Sequence, residues 1–315
     1  MTDYDAIIVG GGPSGLTAGI YLARAQYRVL LLEKYQFGGQ LLNIAWIENY
    51  PGFSEGVEGA TLASEMIGQI MKYGVDLEQG EVTGIESYSS CFSVNCGIGT
   101  AYTSSAIIIA SGSTSRKLDV PGEDKFYGHG VIHCALCDGG QFKDRVLAVC
   151  GGGDAGITEA LYMAKLASKV ILIEAMSCLT ATTIYQERAA SDPKLEIRCG
   201  QKVVEIIGDD KVKAIDVVEV ETGRKETLEV DGVLVHVGAV PNTAYLLDAV
   251  PLDNACRIKV NQKLETEVPG IFAAGDLRED SPQQVSTAVG DGAVAAITAQ
   301  RFLQARTKGL ALFET

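Results

Sequence analysis

No run of 18 apolar residues occurs in this 315-residue chain, so no segment is long and greasy enough to cross a bilayer as a helix. Cations are scarce as well. Lysine and arginine total 26 against 40 aspartates and glutamates, a net charge of −14, and such a surface repels nucleic-acid phosphates and anionic lipid alike. Neither nucleic acid nor a membrane is therefore an expected partner. The opening Met1-Thr2-Asp3-Tyr4-Asp5 is acidic where a secretory leader is basic, and the expected location is cytoplasmic. Proline is sparse, 8 residues against 36 glycines, a balance that suits an α/β protein with many tight turns. Low-complexity tracts are missing too. With 47% hydrophobic and 21% charged residues, the composition is that of a globular protein, and the length accommodates two domains.

What is present is one pattern written twice. Ile7-Ile8-Val9 reads as a buried strand, followed by Gly10-Gly11-Gly12-Pro13-Ser14-Gly15, a helix from Leu16 to Ala25, and a strand from Val29 to Leu32 that ends at Glu33. Strand, G-x-G-x-x-G, helix, strand and acid make the full context of a dinucleotide site. Gly10 makes the turn, Gly12 admits a pyrophosphate, and Gly15 lets the helix pack on the strand. The helix N-terminus offers free N–H groups to the phosphates, and Glu33 suits ribose hydroxyls. The pattern returns at Val146 to Cys150, Gly151-Gly152-Gly153-Asp154-Ala155-Gly156, a helix from Ile157 to Leu166, and a strand from Val170 to Ile173 that ends at Glu174. Glycine and acid stand 23 residues apart in both copies (33 − 10 and 174 − 151). Gly151, Gly153, Gly156 and Glu174 are thus candidates for a second nucleotide site.

Near the C-terminus, Pro269 to Asp276 is an apolar strand closing on Gly275-Asp276, with a glycine-bearing helix start at Gly290-Asp291-Gly292-Ala293. It resembles the flavin-closing element of flavoproteins with two dinucleotide domains, in which the first domain resumes after the second. The expected fold class is α/β, with two Rossmann-like domains, the second inserted in the first, and small antiparallel β excursions. The boundaries implied are 1–115 with 244–315 for the first domain and 116–243 for the second. The segment from Gly80 to Tyr102 reads as one such excursion.

Between the two fingerprints lies Cys134-Ala135-Leu136-Cys137-Asp138. Two thiols at this spacing can close an easily reduced disulfide with distinct roles for its sulfurs, and an adjoining acid can move the proton that exchange requires. Half of a zinc site, completed by Cys91 and Cys96, is the competing reading, though no metal is expected. The other six of the 8 cysteines read as small hydrophobes. His133 reads as a loop residue and His236, in an apolar strand, as core.

Taken with the first fingerprint, Gly38-Gly39-Gln40-Leu41, Ile47-Glu48-Asn49-Tyr50-Pro51-Gly52, Cys134 to Gly139, Gly238 to Thr243 and Ala273 to Asp276 make the chain similar to the low-molecular-weight thioredoxin reductases over nearly its whole length. The resemblance implies FAD in the first site, held by Gly10, Gly12, Pro13, Ser14, Gly15, Glu33, Lys34, Gly39, Gln40, Asn49, Val82, Gly112, Gly275, Asp276, Gln284 and Val285. It implies that Cys137 faces the flavin, that Cys134 attacks the partner's disulfide and that Asp138 serves as acid–base group. A homodimer acting on a thioredoxin-like or other disulfide protein is implied as well. An NADH oxidase, a peroxide-linked flavoprotein reductase and a flavin–dithiol redox sensor are the alternatives.

One departure stands out. NADPH-using members follow the second strand with His-Arg-Arg and a further Arg, which clamp the 2′-phosphate. Here the place reads Glu174-Ala175-Met176-Ser177-Cys178-Leu179-Thr180, and no lysine, arginine or histidine occurs from Val170 through Glu187. A dianion beside Glu174 with no cation is repelled, so NADPH is not the expected donor. NADH, a second flavin in the same groove, or a ferredoxin are the candidates. For an acidic ferredoxin, Arg116, Lys117, Lys125, Lys143 and Arg145 could supply a local basic patch. The apolar ending Leu310-Ala311-Leu312-Phe313 is expected to dock on the flavin face or a second subunit.

Overall fold

Ala6 to Val9 and Ala106 to Ile109 are apolar at every position, the pattern of strands covered on both faces. In the computed structural model, which describes residues 2–246 and 249–307, they sit at the centre of one sheet. β1 (Tyr4–Val9), α1 (Pro13–Arg24) and β2 (Val29–Glu33) are followed by α2 (Gly59–Met71) and β3 (Asp76–Gln79). β4 (Val82–Ser87), β5 (Phe92–Cys96) and β6 (Thr100–Ile109) then run antiparallel to one another in turn. The strand order is β3-β2-β1-β6-β5-β4. β6 pairs antiparallel with β5 through its first half and parallel with β1 through its second. Side chains alternate between faces. Ala6, Ile8, Ala106 and Ile108 join α1 and α2 in one core, and Ile7, Val9, Ile107 and Ile109 join Val82, Phe92 and Val94 in the other.

The chain leaves this unit through β7 (Ser113–Ser115) and builds a second one. Its elements are β8 (Val131–Ile132), α3 (Ala135–Asp138), β9 (Val146–Cys150), α4 (Asp154–Ala164), β10 (Lys169–Glu174), α5 (Thr183–Ser191) and β11 (Leu195–Cys199). β12 (Gln201–Gly208), β13 (Val212–Glu219), β14 (Lys225–Glu229) and β15 (Gly232–Val235) complete it. β11-β10-β9-β15-β8 form a parallel sheet, and β12, β13 and β14 a separate antiparallel one. The alternation recurs, with Ala148, Cys150, Ile171 and Ile173 on one face and Leu147, Val149, Val170 and Leu172 on the other.

β16 (Ala239–Pro241) carries the chain back, β17 (Ile271–Ala273) adds to the first sheet beside β6, and α6 (Val285–Thr307) packs on α1. The two compact units comprise residues up to Thr114 with those from Val240 onward, and Ser115–Ala239.

α6 begins at Val285, five residues before the expected start at Gly290. Gly292 reflects packing instead of a helix end, since a Cβ there would lie 2.2 Å from the Ser14 carbonyl oxygen of α1, whereas one at Gly290 would meet nothing within 4 Å. The cysteines are also less uniform than expected. Cys96 and Cys150 are buried, whereas Cys178 and Cys256 are exposed. Leu310 to Phe313 lie outside the described residues.

Candidate functional site

In the first unit a cleft of ≈ 650 Å³ opens where the strands end. Gly12, Pro13 and Ser14 line it after β1, Glu33 at the end of β2, Gly112 after β6, and Gly275 and Asp276 after β17. Gly39 and Gln40 reach it from a 3-10 turn, and Gln284 and Val285 from the start of α6. Five expected residues do not line it. Gly10 and Gly15 shape the turn behind: a Cβ at Gly15 would lie 1.9 Å from the Gly10 carbonyl oxygen, and Gly10 itself sits at φ +110°. Lys34 pairs with Glu81 at 2.8 Å, Val82 is buried in the core, and the Asn49 amide donates to Gln284 Oε1 at 2.9 Å.

The walls suit a dinucleotide. A Cβ at Gly12 would meet nothing within 4 Å, which leaves room for close approach of a phosphate. Ser14 Oγ, in the first turn of α1, is buried without a hydrogen-bond partner, so a polar atom there lacks its complement. Glu33 accepts the N–H groups of Gly11 and Tyr35 at 2.7 and 2.9 Å, which fixes its carboxylate at the end of β2 and leaves each oxygen a further lone pair. Burial, with Asp291 nearby, pushes the Asp276 carboxyl above the usual range, against the opposing pull of Ser113 and Arg278. Arg278 grips Asp291 through Nε at 2.6 Å and Nη2 at 3.1 Å, and Asp291 in turn accepts Gly275 N–H at 3.0 Å.

The second unit repeats the turn. Gly151 sits at φ +115°, a Cβ at Gly156 would lie 2.0 Å from the Gly151 carbonyl oxygen, and one at Gly153 would meet only Thr180 Oγ1, at 3.7 Å. Glu174 accepts Gly152 N–H at 2.6 Å and Met176 N–H at 2.8 Å, the arrangement of Glu33 over again, but it is buried. The intact loop therefore has a structural use of its own: its acid ties β10 to the glycine turn.

Cys134 and Cys137 form a disulfide, with their Cα atoms 5.4 Å apart. Cys134 caps α3, and its sulfur accepts Cys137 N–H at 3.0 Å, a donor that steadies negative charge on that sulfur. Cys134 is 8% exposed, whereas Cys137 and Asp138 are exposed. No three His, Cys, Asp or Glu side chains converge as metal ligands among the described residues.

Residues 4–292 match the family described as pyridine nucleotide-disulphide oxidoreductase. The chain belongs to this family. Within it, the chain is 39% identical over 302 residues to thioredoxin reductase from Listeria innocua, covering 96% of this chain and 94% of that one. The fold is that of the crystal structure of Lactococcus lactis thioredoxin reductase, at a TM-score of 0.94 and 37% identity over 96% of this chain and 99% of that one. A ferredoxin-flavin thioredoxin reductase from Clostridium acetobutylicum is 31% identical, with a TM-score of 0.52 over 97% and 98% of the two chains.

Sequence reasoning missed several residues of this oxidoreductase's sites. Ser113 accepts the Gln40 amide at 3.0 Å through its carbonyl oxygen. Asn242 donates to the Ser111 carbonyl oxygen at 2.8 Å, and the Ser111 hydroxyl donates to the Asn242 carbonyl oxygen at 2.8 Å. The Gly238–Thr243 motif signalled Asn242, which stands in it without an assigned role. The histidines also differ from expectation. His236 is not a satisfied core residue: its Nε2 lies 2.9 Å from Glu159 Oε2 without making a hydrogen bond. His133 is half-buried with its Nδ1 unpartnered, not a solvated loop residue.

Proposed function

We propose that the chain is an FAD-dependent reductase of a small, thioredoxin-like protein disulfide whose electrons come from a donor other than NADPH. One conjunction carries this reading: a closed Cys134–Cys137 disulfide in a member of this family whose second nucleotide loop has no cation from Val170 through Glu187. Gly12, Ser14, Glu33, Gly39, Gln40, Asp276 and the Gln284-Val285 backbone would hold FAD. When bound, that group supplies a two-electron reductant. Cys137 receives the electron pair as the sulfur–sulfur bond opens, and Cys134 leaves as a thiolate steadied by Cys137 N–H, with Asp138 as the acid–base group for the departing sulfur. Cys134 then attacks the partner's disulfide. Cys137 resolves the mixed disulfide, so two electrons leave on the partner and the Cys134–Cys137 bond closes again.

A donor that bypasses the second loop, a ferredoxin above all, is the favoured source; the ferredoxin-flavin relative supports it. NADH is the second reading, favoured by the open approach at Gly153 and by Glu174, which suits free ribose hydroxyls. Anaerobic titration of the flavoprotein with NADPH, NADH and reduced ferredoxin, followed by flavin absorbance, separates these. Ferredoxin should bleach the flavin, and oxidised thioredoxin should restore its colour in the wild type but not in Cys134→Ser. Stoichiometric bleaching by micromolar NADPH would overturn the donor assignment, and undiminished reoxidation in the variant would overturn the role of Cys134.

A further inference from the structure

Behind the disulfide, the second unit holds a carboxylate and an imidazole that the reaction above does not use. Glu159, on α4, accepts Ala135 N–H at 3.0 Å through Oε2. The same oxygen lies 2.9 Å from His236 Nε2, and the two side chains are only 17% and 15% exposed. Ala135 is the residue after Cys134 and the first of α3. His133 precedes Cys134 in the chain; burial holds its pKa below the usual value, Glu123 and a backbone hydrogen bond at Val235 pull it up, and His236 and Lys117 oppose its charge.

We propose that Glu159 and His236 are positioning residues for the dithiol: together they anchor the Cys134 end of α3 and set the balance between the closed and open forms of Cys134–Cys137. This rests on the dithiol reading above. A largely shielded carboxylate bonded to the residue after Cys134 repels a thiolate there and so favours the disulfide. When it carries a proton, the imidazole against that carboxylate offsets its charge and relieves the repulsion. Removal of His236 then turns the whole charge of Glu159 on α3.

The test equilibrates the flavoprotein at pH 7 in dithiothreitol redox buffers. There the buffer's dithiol closes to a ring disulfide as the Cys134–Cys137 bond opens, and two electrons and two protons pass to the protein sulfurs. Alkylation of free thiols and mass analysis of the tryptic peptide Phe126–Lys143, which contains no other cysteine, give the ratio of forms. His236→Leu should shift the equilibrium about three- to tenfold toward the disulfide, and Glu159→Gln, which keeps an acceptor for Ala135, should shift it the other way. In the double variant the effect of His236→Leu should vanish, because the charge it shields is gone. A purely structural role would lower stability without moving the ratio. A normal wild-type equilibrium that neither variant moves, or effects that simply add, would overturn the inference alone. A wild-type pair that no buffer ratio reduces would overturn the dithiol reading and this inference with it.

Discussion

A methyl group at Gly15 would lie 1.9 Å from a carbonyl oxygen of its own turn, whereas one at Gly12 would touch nothing within 4 Å. The two glycines therefore answer to different demands, one to packing and one to whatever enters the cleft. Gly15→Ala should destabilise the flavin-free protein by ~3 kcal/mol, since the backbone must yield. Gly12→Ala should melt within about 0.5 kcal/mol of the wild type when stripped of flavin, yet purify nearly colourless. Thermal melts of the stripped proteins and the flavin absorbance of the purified ones check both; a fully flavinated Gly12→Ala would mean that the phosphates pass elsewhere. These roles were legible in the sequence because glycine spacing acts locally. The polar walls were not, because Ser111 and Asn242 meet across 131 residues and nothing near either one signals the other. The Glu159–His236 contact was hidden for the same reason, joining a helix to the end of a strand distant in sequence.

Among the elements, β1-α1-β2 and β9-α4-β10 could be read in advance, since continuous apolar runs and glycine turns dictate buried parallel strands. The start of α6 could not, because Gly292 is fixed by its approach to Ser14 and not by any helix-end signal. What joins β17 to α6 is electrostatic: Asp291 accepts both Arg278 and Gly275 N–H, and Asp276 stands close enough to feel its charge. With its folded-state pKa raised by burial and by Asp291, Asp276 favours the native state fully only below the unfolded value of about 4, and that contribution is lost as pH rises through the folded value. Asp276→Asn should therefore match the wild type near pH 4 in flavin-free melts and exceed it at pH 7.5, on the order of 2 °C in Tm, while holding flavin less tightly. A variant less stable at pH 7.5 would show that Asp276 is stabilised as a carboxylate after all.

For the molecule as a whole, the net charge of −14 opposes any acidic donor. The cations that could offset it are partly committed already. Lys117 pairs with Asp124 at 2.6 Å, Arg145 pairs with Asp231 at 3.6 Å, and Lys125 rests over the Phe126 ring at 4.5 Å while it donates to the Gly208 carbonyl oxygen. With two of the five neutralised by partners, repulsion should govern the encounter. The Debye length shrinks from roughly 30 Å at 0.01 M salt to roughly 8 Å at 0.15 M, so added salt screens that repulsion before it weakens any short-range contact. The second-order rate of flavin reduction by an acidic ferredoxin, measured by stopped flow, should rise severalfold over that range. A rate that falls with salt would mean that Arg116 and Lys143 gather with their neighbours into a patch strong enough to outweigh the charge of the whole chain. It would also move the donor's landing place onto the unit that bears the disulfide.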